Sequence, residues 1–211
     1  MYKYYRNSNV FENIDSKEKA YWLGFLYADG YVNEEHNFIN IGLKRSDKNH
    51  LEKFQKFLET NQPILDGINN GGHEMSSFRL YDKKIVADLV KQGVYQNKSL
   101  TLKPNFTMPQ EFYIDWARGL FDGDGSIFPH QSPRAHIRYY INLIGTKEIL
   151  SFFQKVVNIE RKLDYNRSIP KIVVCKKTEV NRILNLLYNN ATTYLDRKYI
   201  LALKAIETNL Q

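Results

Sequence analysis

The chain has 211 residues, 43% of them hydrophobic, enough for one large domain or two small ones. Lys and Arg outnumber Asp and Glu by 30 to 23, a formal charge of +7 that suits a polyanionic partner such as nucleic acid. Cys175 is the only cysteine, so no intrachain disulfide can form, and no apolar run approaches the ~18 residues of a membrane span. The opening residues, MYKYYRNSNVFEN, lack the apolar segment of a secretory signal. The expectation is a soluble intracellular chain with no membrane contact.

The first predicted helix starts near Asp15. Asp15 caps it while Glu18, three residues on, reaches back in a capping-box arrangement. It ends in WLGFLYADG (residues 22–30), where Gly30 stands at a C-cap position that calls for left-handed dihedrals. A hairpin turning at residues 33–37 follows, and in its second arm Ile39, Ile41 and Leu43 alternate with Asn40, Gly42 and Lys44. Period two with one polar face marks a half-buried strand. A helix (SDKNHLEKFQKFLET), a strand (SSFRLYD), a second helix (KKIVADLVKQG) and a basic segment (YQNKSLTLK) complete the first pass.

The same order then repeats. LKPNFTMPQ is a join punctuated by Pro104 and Pro109, dividing the chain into residues 1–104 and 105–211. Thr107 is the expected N-cap of the next helix, with Pro109 in its first turn and Gln110 at the box position. This helix ends in ARGLFDGDG (residues 117–125), with Gly125 again at the C-cap. A hairpin turning at residues 129–133 leads into Ile137, Tyr139, Ile141 and Leu143, alternating with Arg138, Tyr140 and Asn142. TKEILSFFQKVVN, IPKIVVCK, TEVNRILNLLYNN and YLDRKYILALK repeat the helix, strand, helix and basic segment. The pattern is a tandem α+β duplication.

Small residues recur four apart in both motif helices, Gly24 with Ala28 and Gly119 with Gly123. A mid-helix glycine costs roughly 0.5–1 kcal/mol, a cost that makes sense where another backbone must come close. Packing of the two helices about a pseudo-twofold axis would bring Asp29 and Asp124 together. A carboxylate at a helix C-terminus opposes the macrodipole, and two side by side repel unless a cation sits between them. Oxygen donors without a His or Cys cluster favour a hard divalent ion such as Mg²⁺. His36, His50, His73, His130 and His136 lack metal-site spacing and are expected at the surface or in turns; Trp22 and Trp116 are expected in the core. DGDGSIF fails as a calcium loop, because Ile127 stands where its glycine belongs and Pro133 where its bidentate Glu would be.

At these nine-residue stretches the chain resembles the LAGLIDADG homing endonucleases, in the single-chain form with two motifs. Residues 117–125 match the signature at its G, L, D, D and G positions, and residues 22–30 keep the G, A, D and G. The resemblance implies two αββαββα repeats forming a saddle, with antiparallel sheets lying in the DNA major groove. It implies a monomer, intron-encoded, that hydrolyses both strands of a long double-stranded DNA target and leaves 3′ overhangs. Mg²⁺ is the implied cofactor, with Mn²⁺ as substitute and Ca²⁺ supporting binding without cutting.

Residue by residue, the resemblance makes Asp29 and Asp124 metal ligands, with Ala28 and Gly123 contributing backbone carbonyls. Lys98 and Lys198 fall where the family places a basic residue beside the scissile phosphates. Tyr27 stands where the family has its first Asp, a position that Asp122 retains and that is not the usual ligand. The polar strand faces offer Asn40, Lys44, Arg79, Arg138, Tyr140, Asn142 and Lys171 for base readout. The alternative is a non-cleaving RNA maturase or DNA-binding regulator on the same scaffold, which needs the basic face but not the acids.

Overall fold

The structure is a computed structural model that describes residues 4–131, 137–166 and 169–210. Its first half runs α1 (Lys17–Asp29), β1 (Gly30–Asn33), β2 (Phe38–Lys44), α2 (Lys48–Phe57), β3 (Ile64–Ile68), β4 (Glu74–Tyr81) and α3 (Lys83–Lys91). The second repeats the order with α4 (Tyr113–Asp124), β5 (Gly125–His130), β6 (Arg138–Ile144), α5 (Lys147–Val156), β7 (Asp164–Asn166), β8 (Ile169–Val174) and α6 (Lys177–Tyr188), and adds a further helix, α7 (Asp196–Leu210). The strands form two antiparallel four-stranded sheets, ordered β1-β2-β4-β3 and β5-β6-β8-β7. The α+β duplication therefore stands, with two strands more than the pattern of alternation revealed. β3 is Ile64 followed by four exposed residues, and β7 is three residues long, so neither presents a buried stripe.

α1 is buried on every side from Ala20 through Tyr27, as befits a helix at the centre of a molecule rather than on its surface. It packs against α4, and the contact is backbone to backbone. A Cβ added at Gly24 would lie 2.0 Å from the Trp116 carbonyl oxygen, and one at Gly119 would lie 2.0 Å from that of Tyr21. Near the ends, a Cβ at Gly123 would meet the Cβ of Ala28 at 2.2 Å. The small-residue faces meet as expected, and only glycine admits this approach. Trp22 and Trp116 are fully buried beside the crossing.

Several local expectations fail for identifiable reasons. Ser16, not Asp15, is the N-cap of α1, accepting from the Lys19 amide at 3.3 Å, while Asp15 pairs with the Lys19 side chain at 2.8 Å. α4 is entered through a one-turn 3₁₀ helix, Gln110–Phe112, with no side-chain cap; the Thr107 amide instead donates to Gln92 Oε1 at 3.0 Å. Gly30 and Gly125 have φ of −76° and −80°, extended rather than left-handed. Each begins a strand, and a Cβ there would strike Leu26 or Phe121 of the preceding helix. Ile137 precedes β6 and is exposed, whereas Tyr139, Ile141 and Leu143 are buried as the alternation requires. β5 continues through Pro129 to His130, the first two residues of the expected turn; residues 132 and 133 of that turn, and His136, lie outside the described residues.

Candidate metal centre and nucleic-acid face

The crossing of α1 and α4 brings their C-terminal ends together, because each helix ends one turn past its contact glycines. Asp29 and Asp124 are the last residues of the two helices. A Cβ at Gly123 would lie 3.3 Å from Asp29 Oδ2, which places the first acid against the end of the second helix. Both side chains are exposed at the tip, yet the protein crowded around them displaces water. That desolvation raises both carboxyls above their ordinary range, and the charge of Asp29 helps push Asp124 up to about 6.

Two lysines answer the negative helix ends. Lys98, on the 3₁₀ turn Lys98–Leu100, donates to the Gly30 carbonyl. Lys198, on α7, donates to the carbonyls of Phe121 at 2.7 Å, Gly123 at 3.3 Å and Gly125 at 2.5 Å. Both are buried, and burial lowers both, Lys198 to about 8. The charge of each acid opposes that lowering in both lysines, so the four groups form one electrostatic unit.

The residues fit a hard divalent cation. Repulsion between the two carboxylates is relieved by any cation between them, and the available donors are oxygens. No group of three or more His, Cys, Asp and Glu that could hold a metal exists among the described residues, so Asp29 and Asp124 are the carboxylates that would hold such an ion here. Ala28 is half-buried at the α1 end, and the Gly123 carbonyl already accepts from Lys198.

The two motifs differ at their sixth position. Tyr27 donates its hydroxyl to the Gln92 carbonyl at 2.7 Å. Asp122 is fully buried and accepts from Tyr21 (2.7 Å), Tyr188 (2.6 Å) and the Leu195 amide (2.7 Å). Burial raises its carboxyl despite these donors. Tyr21 also shares a hydrogen bond with His50 Nε2 at 3.1 Å. His50 is thus no surface residue: it is wholly enclosed among the rings of Tyr21, Trp22 and Phe25, and burial pushes it down to about 3. Nothing in the sequence marked Tyr21, Tyr188 or His50 as a unit, since they come from three separate helices. Arg197 and Asp47, bonded at 2.7 Å, join the halves in the same unannounced way.

The proposed base-reading side chains lie on one face of each sheet, opposite the side that packs into the core. Asn40 pairs in register with Arg79, and Lys44 ends the same strand face. Arg138, Tyr140 and Asn142 alternate along β6, with Lys171 opposite Ile144 on β8. These faces are not bare charge: the Arg79 guanidinium lies 4.6 Å over the Phe38 ring, His130 stacks on Tyr140 at 5.0 Å, and Lys171 pairs with Asp164 at 3.3 Å.

This arrangement, two helix-backed sheets joined through paired glycine-lined helices that end in acids, defines a single-chain, two-domain protein of the LAGLIDADG fold. Residues 16–82 match the model of the LAGLIDADG-like domain. The chain superposes on the I-LtrWI LAGLIDADG homing endonuclease bound to target DNA with a TM-score of 0.62, at 12% identity over 97% of this chain and 92% of that one. It also superposes on the N-terminal LAGLIDADG domain of DUF199/WhiA, with a TM-score of 0.53 and 19% identity over 85% and 89% of the two chains. Uncharacterized protein MJ0314 of Methanocaldococcus jannaschii is 26% identical over 72% of this chain, which spans 59% of that relative's length. No helix among the described residues is long and apolar enough to cross a membrane.

Proposed function

We propose that the protein is a site-specific endonuclease that acts as a monomer, hydrolysing both strands of a long double-stranded DNA target with Mg²⁺ and leaving 3′ overhangs. The observation that carries this reading is the meeting of Asp29 and Asp124, one acid from each half, at the crossed helix ends beside Lys98 and Lys198. A divalent ion, when bound, supplies Lewis-acid polarisation of phosphate and a more acidic water. Asp29 and Asp124, deprotonated, would hold that ion, and the nearby ammonium charge favours negative charge growing on phosphate. The sheet faces supply donors, acceptors and positive charge to the groove, and the likeness to a homing endonuclease bound to its target supports that docking.

The test is selection of cleaved molecules from a randomised duplex library in Mg²⁺, repeated for binding in Ca²⁺. One long site should be enriched in both arms, with 3′ extensions on the cut ends. Asp29→Asn and Asp124→Asn should each lower cutting by about 10³-fold while retaining binding. Cutting by both variants at the parental rate would remove the catalytic centre from this position. The likeness to DUF199/WhiA keeps a second reading open, a non-cleaving binder on the same scaffold. Enrichment in Ca²⁺ with no product in Mg²⁺ is its signature.

A further inference from the structure

The two lysines at the helix ends are chemically unlike in what they have left to offer. An ammonium group carries three N–H donors. Lys198 has a protein acceptor for each of its three, the carbonyls of Phe121, Gly123 and Gly125. Its backbone is equally committed. It rides on the fifteen-residue α7, just after Leu195, whose amide is bonded to the buried carboxylate of Asp122. Lys98 has a single carbonyl acceptor, Gly30, and makes no ion pair within 4.0 Å among the described residues. It stands on a three-residue turn, and its side chain lines a cavity of about 390 Å³ together with Asp124 of the other half.

We propose that Lys98 is the lysine that contacts phosphate, while Lys198 is a positioning residue that closes the end of α4, so that the two DNA strands meet unlike sites and are cut at unequal rates. Two donors of Lys98 remain to bond phosphate oxygens beside Asp124. Lys198 instead holds three carbonyls at the root of the same acid, fixing the direction in which Asp124 leaves the helix. This inference rests on the endonuclease reading, but half of its test does not require cutting.

The experiment uses the full chain and the selected duplex, each strand end-labelled, under single-turnover conditions in Mg²⁺, with affinity measured against salt in Ca²⁺. Lys98→Met should slow one strand by at least about 10-fold and the other little, and should lower the salt slope of binding by about one. Lys198→Gln, which keeps a donor, should slow both strands alike, leave the salt slope unchanged and lower the melting temperature. Mirror-image behaviour, with each variant slowing a different strand and each reducing the slope, overturns the assignment. If the parent binds the duplex without cutting it, the endonuclease reading fails and the salt slopes still decide between the lysines. If the parent does not bind duplex DNA, both readings fall.

Discussion

Tyr21 and Asp122 lie 101 positions apart in the chain and are joined by a 2.7 Å hydrogen bond in the fully buried interior, the tyrosine donating. The bond ties the first motif helix to the second, one residue before the Gly123 carbonyl and two before Asp124. A carboxylate so enclosed is tolerated because Tyr188 and the Leu195 amide complete its set of donors.

Removing that carboxylate should therefore be costly. Asp122→Ala strands two hydroxyls and an amide without water, and about 3–5 kcal/mol of stability should be lost. Tyr21→Phe removes the bonds to Asp122 and to His50 Nε2 but leaves Asp122 its other two donors, and should cost about 1–3 kcal/mol. Urea unfolding at neutral pH measures both, and equal, small losses would show that the network contributes little.

The helix crossing makes a sharper prediction, because the added atom is a single methyl. Gly24→Ala and Gly119→Ala each place a Cβ 2.0 Å from a carbonyl oxygen of the opposite helix, where no side chain can yield. Each should lose at least about 2 kcal/mol, outweighing the gain in helix propensity of up to about 1 kcal/mol. Gly42 is the control. A Cβ there meets nothing within 4 Å, and Gly42→Ala should be tolerated. Thermal melts of the three variants side by side decide the matter.

These two cases mark how much of the molecule was legible in the sequence. The glycines announced the crossing because a repeated local cost at fixed spacing has few explanations, and with it came the convergence of Asp29 and Asp124. The strands with buried stripes announced themselves by alternation. β3 and β7 did not, since exposed residues such as Leu65 and Tyr165 carry no periodic signal. The Tyr21–Asp122–Tyr188 unit was invisible for another reason: its members are ordinary core and motif residues until tertiary packing brings three helices together. The capping expectations at Asp15 and Thr107 fail for a third, local reason: the neighbouring Ser16 takes the cap of α1, and α4 is entered through a 3₁₀ turn that has no side-chain cap.

His50 predicts a pH dependence of stability that is independent of function. Its ordinary value is 6.5, and burial lowers it to about 3 in the folded chain. Between those limits the unfolded state binds more protons, so stability falls as pH drops below 6.5 and continues to fall toward 3. The slope attributable to this group is about 1.4 kcal/mol per pH unit once the pH is well below 6.5. His50→Gln, which cannot titrate, should show a shallower decline in urea midpoint between pH 6.5 and 4.5. Parallel declines would mean that the ring is reached by solvent.

Asp124 behaves in the opposite sense. Its carboxyl is raised from 3.8 to about 6, so the folded state holds the proton more tightly, and that stabilisation disappears as pH climbs from 3.8 through 6. Above pH 6 without metal the ionised pair is a burden, and Asp124→Asn should melt higher than the parent at pH 7.5 in chelator. The side chain is exposed and solvent screens it, which limits the gain to no more than about 1 kcal/mol. Mg²⁺ should reverse the order, because an ion that binds only the folded parent stabilises it by mass action. The Mg²⁺-induced rise in melting temperature should accordingly be larger at pH 7.5 than at 5.5 in the parent and small at both in the variant. Strand cutting should rise through the same range, since a protonated Asp124 cannot hold the ion. An equal Mg²⁺ response in Asp124→Asn would place the ion somewhere other than between the two helix ends.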